Sequence, residues 1–148
     1  MGTRSTIAIR NTDGTFEAIY CHWDGYLSHN GRILEENYTT EEKVRELIAL
    51  GDISSLREEI GTKHPFDTYK IPQHVSAAWS RWCTAYGRDR GETGVAPKTF
   101  VSFQHLQNNF SQEFTYVFDV VTGEWSVSYN DRAEQWPLAA ALELDLVV

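Results

Sequence analysis

The sequence predicts an α+β fold, a single domain over residues 1–148 in which an antiparallel sheet of about five or six strands carries packed helices. Three observations predict it. Asp13-Gly14 joins two β-type runs near the N-terminus, and Thr122-Gly123 joins two more near the C-terminus. Between these hairpins lie stretches whose apolar residues recur at helical spacing. The length suits one domain. A chain of this size buries roughly 70% of the surface its unfolded form exposes, so it needs no disulfide or metal to fold.

The elements follow in order. In the first strand, residues 4–10, Ile7 and Ile9 share a face. In the second, Phe16, Ala18, Tyr20 and His22 share one face, while Ile19, Cys21 and Trp23 share the other. Apolar groups on both faces place this hairpin inside a sheet rather than at its edge. Residues 30–38 are expected to form a short helix with Ile33, Leu34 and Tyr38 inward. A clearer helix follows, with Thr39 as cap, Glu42 completing a capping box, and Val44, Leu47 and Ile48 as the inward stripe. Gly51 stops it. Ile53, Leu56 and Ile60 then predict a further helix, ending at Gly61.

Residues 62–74, with Pro65 and Pro72, read as a loop. Residues 75–86 admit two readings. Val75, Ala78, Trp79 and Trp82 have helical spacing, whereas Trp82, Thr84 and Tyr86 alternate. A helical turn followed by a strand accommodates both. Residues 87–98 read as a polar loop. Phe103, Leu106 and Phe110 predict a helix over 102–110, and clean alternation over 114–129 predicts the second hairpin. Leu142, Leu144 and Leu146 alternate with Glu143 and Asp145, which predicts a last strand.

Charge narrows the function classes. The formal net charge is −8, unevenly spread: residues 61–112 carry six basic and three acidic side chains, residues 113–148 one basic and seven acidic. An acidic chain with no basic stripe is a poor direct binder of nucleic acid. No apolar run approaches the ~20 residues that span a bilayer, and no apolar leader opens the chain. A cytoplasmic protein is expected. Cys21 and Cys83 have no metal-pair spacing and read as two buried thiols. No phosphate-binding, dinucleotide, nucleophile-elbow or zinc-helix motif is present, so no cofactor is expected.

Three features stand out as candidate sites. The first is the loop Cys21-His22-Trp23-Asp24-Gly25-Tyr26. Strand alternation turns Cys21 and His22 apart, which argues against a nucleophile–base pair. His22 and Asp24 can share a face, as a structural pair, an acid–base pair or a metal site joined by His29. The second is Arg88-Asp89-Arg90-Gly91-Glu92, where Arg88 and Arg90 can grip an anion unless Asp89 and Glu92 neutralise them. Arg32 adds a third cation if it folds nearby. The third is the excess of large aromatics, among them Trp23, Tyr26, Trp79, Trp82, Tyr86, Trp125 and Trp136. Most belong to a core, and some can line a groove.

The segments Gly2-Thr3-Arg4-Ser5-Thr6-Ile7-Ala8-Ile9, Ile19 to Tyr26, Leu47 to Leu56 and Gly87 to Glu92 resemble a family of small, uncharacterised proteins encoded by bacteriophages, prophages and plasmids. The resemblance covers much of residues 2–92 and is weaker beyond. It implies a bacterial cytoplasm and an accessory role in a mobile element, where small acidic proteins often block host defence. It supplies no catalytic residues.

The leading expectation is a non-enzymatic binding protein that docks on and inhibits a host protein, such as a defence nuclease or its complex. The alternative is a module for a nucleotide or other phosphate ligand, with Arg88 and Arg90 on phosphate and Trp23 or Tyr26 on the base. A third reading is a small hydrolase or metal enzyme using His22 and Asp24. A homodimer is a fair expectation for any binding protein. Convergence of His22, Asp24, Arg32, Arg88 and Arg90 in one pocket favours the second and third readings.

Overall fold

The computed structural model describes residues 2–147. Its strands are β1 (Ser5–Arg10), β2 (Phe16–Cys21), β3 (Ile53–Ser55), β4 (Thr84–Ala85), β5 (Lys98–Phe100), β6 (Phe114–Asp119), β7 (Glu124–Tyr129) and β8 (Trp136–Pro137). Its helices are α1 (Arg32–Asn37), α2 (Glu41–Ala49), α3 (Gln73–Ser76), α4 (Tyr86–Arg90), α5 (Phe103–Phe110) and α6 (Leu138–Val147). A π turn over Leu27–Gly31 precedes α1, and a 3-10 turn over Ala77–Trp79 follows α3. The α+β class is the one the sequence predicts.

One sheet runs in the order β4-β3-β2-β1-β6-β7-β8, with β5 also paired to β2. The two predicted hairpins are its centre. β1 and β2 pair antiparallel from Ser5 opposite Cys21 to Arg10 opposite Phe16. Gly14 turns between them at φ 85, where Asn11 N donates to Thr15 O at 2.8 Å. β6 and β7 pair antiparallel in the same way. The sheet nevertheless differs from the expected one. It has eight strands rather than five or six, and it is mixed: β1 lies parallel to β6, and β2 parallel to β3. Alternation tells which face of a strand is buried but not which strand stands beside it.

Both faces of β1 are buried, so the core has two parts. On one face Ile7, Ile9, Ile19, Tyr116 and Phe118 pack under Leu34 of α1, Val44, Leu47 and Ile48 of α2, and Leu138 and Leu142 of α6. On the other face Ala8, Ala18 and Val117 meet Leu106 of α5 and Phe100. Trp125 closes the first core and donates from Nε1 to the Tyr38 carbonyl at 2.8 Å.

Four sequence expectations are corrected. The helix expected over 53–60 is a strand and an extended run. Cys21 pairs with Ile53, and His22 N and Trp23 N continue the ladder to Ile53 O and Ser54 O. Asp52, just before β3, fastens the two strands, its Oδ1 accepting from Tyr20 N at 2.9 Å. Residues 87–90, expected in a loop, and Tyr86, expected in a strand, form α4, because the Asp89 carboxylate accepts from Ala85 N at the helix start. The last strand is a helix. Leu138, Ala141 and Leu142 are buried at helical spacing, and Leu144 points to solvent. The cap of α2 is Thr40 rather than Thr39, its hydroxyl accepting from Lys43 N.

Gly51 ends α2 at φ 75, and a Cβ there would run into the Val95 carbonyl. Gly91 ends α4 at φ 72, with nothing within 4 Å of such a Cβ. Gly91→Ala should therefore lower stability by about 1–2 kcal/mol, the left-handed penalty alone. Gly51→Ala should lower it by about 1–3 kcal/mol more, through overpacking. Urea unfolding of the two variants side by side measures the difference.

Candidate functional site

The loop after β2 is held from three directions. His22 and Trp23 still pair with the β3 strand, and the chain turns at Asp24, whose φ is 57. Gly25 N donates to Thr3 O at 2.8 Å. A Cβ on Gly25 would lie 2.9 Å from the carbonyl carbon of Arg4, so only glycine lets the loop press on the start of β1. Tyr116, from β6, donates its hydroxyl to Gly25 O at 2.5 Å.

The centre of the loop is a residue that sequence reasoning passed over. Asn30 is fully buried. Its backbone N–H donates to Asp24 O at 3.2 Å, and its side-chain amide donates to Trp23 O at 3.2 Å. The same amide lies 3.3 Å from Ser5 Oγ and 3.3 Å from Cys21 Sγ, and its oxygen is 2.9 Å from His29 Nδ1. One buried amide thus ties β1, β2 and the π turn together.

The chemistry expected of a nucleophile is missing from this arrangement. Burial pushes the Cys21 thiol up to about 12, so it stays protonated. His22 is paired with Tyr20 rather than Asp24: its Nδ1 is 2.8 Å from the Tyr20 hydroxyl. His29 turns toward Asn30 and Arg57. Among the described residues, no three His, Cys, Asp or Glu side chains are grouped to hold a metal ion.

The arginine loop is also committed internally. Arg88 Nε donates to Asp89 Oδ1 at 3.0 Å, and its other nitrogens reach the carbonyls of Ile60 (2.9 Å) and Cys83 (2.7 Å). Asp89 is buried and also accepts from Ala85 N at 2.7 Å and His64 N at 3.1 Å. Burial alone would raise the Asp89 carboxyl, but Arg88 and the two backbone N–H groups outweigh it and hold it below the usual range. Arg90 pairs with Glu92 at 2.6 Å and lies over the rings of Phe66 (4.3 Å) and Tyr86 (5.0 Å). Burial raises the Tyr86 hydroxyl. Arg32 pairs with Glu36 one turn along α1 at 3.5 Å. His22, Asp24, Arg32, Arg88 and Arg90 therefore do not converge as one set of free groups.

Two cavities flank the loop instead. A polar cleft of about 410 Å³ is lined by Trp23 and Asp24 from the loop, Arg57, Phe66, Trp79 and Trp82. Serine and threonine hydroxyls of residues 54–55 and 68–84 complete its wall. On the other side, an apolar groove of about 670 Å³ runs between Leu27, Tyr129, Trp136, Ala140 and Leu144, with Arg132, Glu134 and Asp145 around it. Trp23 and Tyr26 are 43% and 41% exposed, Trp136 and Leu144 53% and 65%. Of the predicted site residues, Trp23, Asp24, Trp79 and Trp82 line the cleft and Trp136 lines the groove. Arg57, Phe66 and Leu144 were not singled out; Arg57 reads as a solvated helix residue because the strand at 53–55 is not visible in the pattern.

Compared with family models, curated proteins and solved structures, the chain matches none. Among the described residues no helix is long and apolar enough to cross a membrane.

Two substitutions test this geometry. Asn30→Ala removes the amide donor to the Trp23 carbonyl, leaving it only the weak Cys21 Sγ contact at 3.5 Å, and should lower stability by about 1–3 kcal/mol. Asp89→Asn breaks a buried pair with Arg88 and should lower stability near neutral pH by about 3 kcal/mol. The Asp89 carboxyl is depressed in the folded state, so its contribution is present above the ordinary carboxylate value, about 4. It is lost as pH falls from there through the folded value. Wild type and Asp89→Asn should therefore converge in chemical-denaturation stability as pH drops below about 4, with Arg88 the charged partner and the His64 imidazole the other titratable group facing the carboxylate.

Proposed function

We propose that the protein acts by non-enzymatic binding, docking on another protein through the apolar groove between α6 and the β7–β8 edge. The observation that carries this reading is the groove itself: about 670 Å³, apolar along its length, with Trp136 and Leu144 exposed beside it and Glu134 and Asp145 at its rim. Exposed large apolar side chains gathered in a groove are the usual mark of a partner site. A buried aromatic anchor supplies affinity in such sites. The surrounding third of the chain carries seven acidic side chains against one basic. The occupant that fits is a protein segment with apolar side chains flanked by Lys or Arg, and the opposite charges speed its encounter.

The resemblance read from the sequence supports a bacterial cytoplasmic setting and a host protein as partner, a defence nuclease or its complex being the leading case and inhibition the consequence. The phosphate-gripping alternative loses support, because Arg88 and Arg90 are engaged by Asp89, backbone carbonyls and Glu92. The hydrolase reading loses support with the separation of His22 from Asp24. A homodimer built on the same groove is the competing occupant.

Capture from the host at low and high salt tests the reading, with wild type, Leu144→Arg and Trp136→Ala compared. Wild type should retain one protein at near-stoichiometric amount, less at high salt, and each variant should retain at least tenfold less. A partner held equally by all three, or a wild-type chain that sediments as a dimer split by Leu144→Arg, would overturn it.

A further inference from the structure

The polar cleft on the far side of the loop carries a separate inference. Its wall combines four large aromatic side chains, Trp23, Phe66, Trp79 and Trp82, with one acceptor-only group, Asp24, and one donor-only group, Arg57. Arg57 is not in an ion pair among the described residues. Its Nη1 donates to Leu56 O at 2.8 Å and lies 3.4 Å from His29 Nε2, contacts that orient the guanidinium without neutralising it. The Asp24 carboxylate likewise has no hydrogen-bond or ion-pair partner among the described residues, and the fixed turn at φ 57 sets its position.

These groups discriminate between ligand classes. The charges of Asp24 and Arg57 balance, so the cleft does not select a bare anion. Hydroxyls and charges on the wall disfavour a hydrocarbon. A sugar hydroxyl, which both donates and accepts, can use such a pair too, but a nucleobase presents donors and acceptors at fixed places along one edge. Its flat face also matches aromatic walls, on which bases of any kind stack. The volume, about 410 Å³, lies within the range of small-molecule sites and admits one nucleoside rather than a strand.

We propose that this cleft binds a nucleobase-bearing small molecule, a nucleoside or mononucleotide, with the base among the aromatic rings and its edge read by Asp24 and Arg57. The proposal is independent of the docking groove, which lies across the loop and shares no lining residue with the cleft.

Titration of the full chain with adenosine, guanosine, cytidine and uridine, followed by tryptophan fluorescence and calorimetry, tests it. Glucose and inorganic phosphate serve as the comparison probes. At least one nucleoside should quench fluorescence saturably, and the two comparison probes should not. Arg57→Ala should weaken that binding at least tenfold. Trp79→Ala, which removes a ring from the wall, should weaken it severalfold. Leu144→Arg should bind like wild type. Saturation by glucose or phosphate, no saturation by any nucleoside at millimolar concentration, or equal binding by wild type, Arg57→Ala and Trp79→Ala would overturn the proposal.

Discussion

The structure depends on one backbone pairing, the parallel join between β1 and β6. Ser5 to Arg10 run beside Phe114 to Asp119 without a break in register. Two hairpins from opposite ends of the sequence become one sheet at that seam, and everything else is attached to it. A parallel join of this kind requires a long crossover, here all of residues 22–113. Side chains reinforce it. Thr6 donates its hydroxyl to the Phe110 carbonyl at 2.6 Å, and Thr115 donates to Gln107, which in turn reaches the carbonyls of Asn130 and Arg132. The end of α5 is thereby fastened to both strands of the seam.

Burying β1 on both faces has a consequence for the polar residues near it. Backbone and side-chain groups that cannot reach water must be satisfied internally. Asn30 and Asp89 meet that demand in two separate places. Asn30 serves the carbonyls where β2 leaves the sheet, and Asp89 serves the N–H groups where β4 becomes α4. Arg88 neutralises the second site because a carboxylate buried alone is costly. What looks in the sequence like an anion-gripping loop is a structural counter-ion for a buried carboxylate, and the chemistry of the pair is used up by the fold.

The parts legible in the sequence are those governed by local rules. Asp13-Gly14 and Thr122-Gly123 mark hairpins because few residues tolerate such turns, and α2 and α5 are visible because their caps and apolar stripes agree. The parts that were not legible depend on neighbours. Ile53, Leu56 and Ile60 are spaced as on a helix, but the open edge of β2 recruits Ile53 into a strand. Leu142 and Leu144 alternate as in a strand, yet Leu138, Ala141 and Leu142 also satisfy a helix, and the core beside β7 selects the second pattern. At the site, Trp23 and Asp24 were visible as an exposed aromatic and a turn residue. Asn30 was not, because nothing local distinguishes a buried amide from a turn asparagine. Arg57 was not, because its importance comes from facing aromatics about ten to twenty-five residues away in the chain.

The loop itself is best understood as a rigid partition. Trp23 and Asp24 face the cleft, and Leu27, only three residues after Asp24, faces the groove. Between them Gly25 is pinned to Thr3 and Tyr116, and Asn30 closes the turn. Each anchor is a hydrogen bond to backbone, so side chains on the two walls can change without moving the partition. Preorganisation of this kind favours affinity, since little ordering entropy is lost when either cavity fills. It also limits communication. A ligand in one cavity shifts binding in the other only if it distinguishes two states of the loop, and the backbone anchors at Trp23 and Gly25 oppose a second state. The two cavities share this partition and no lining residue.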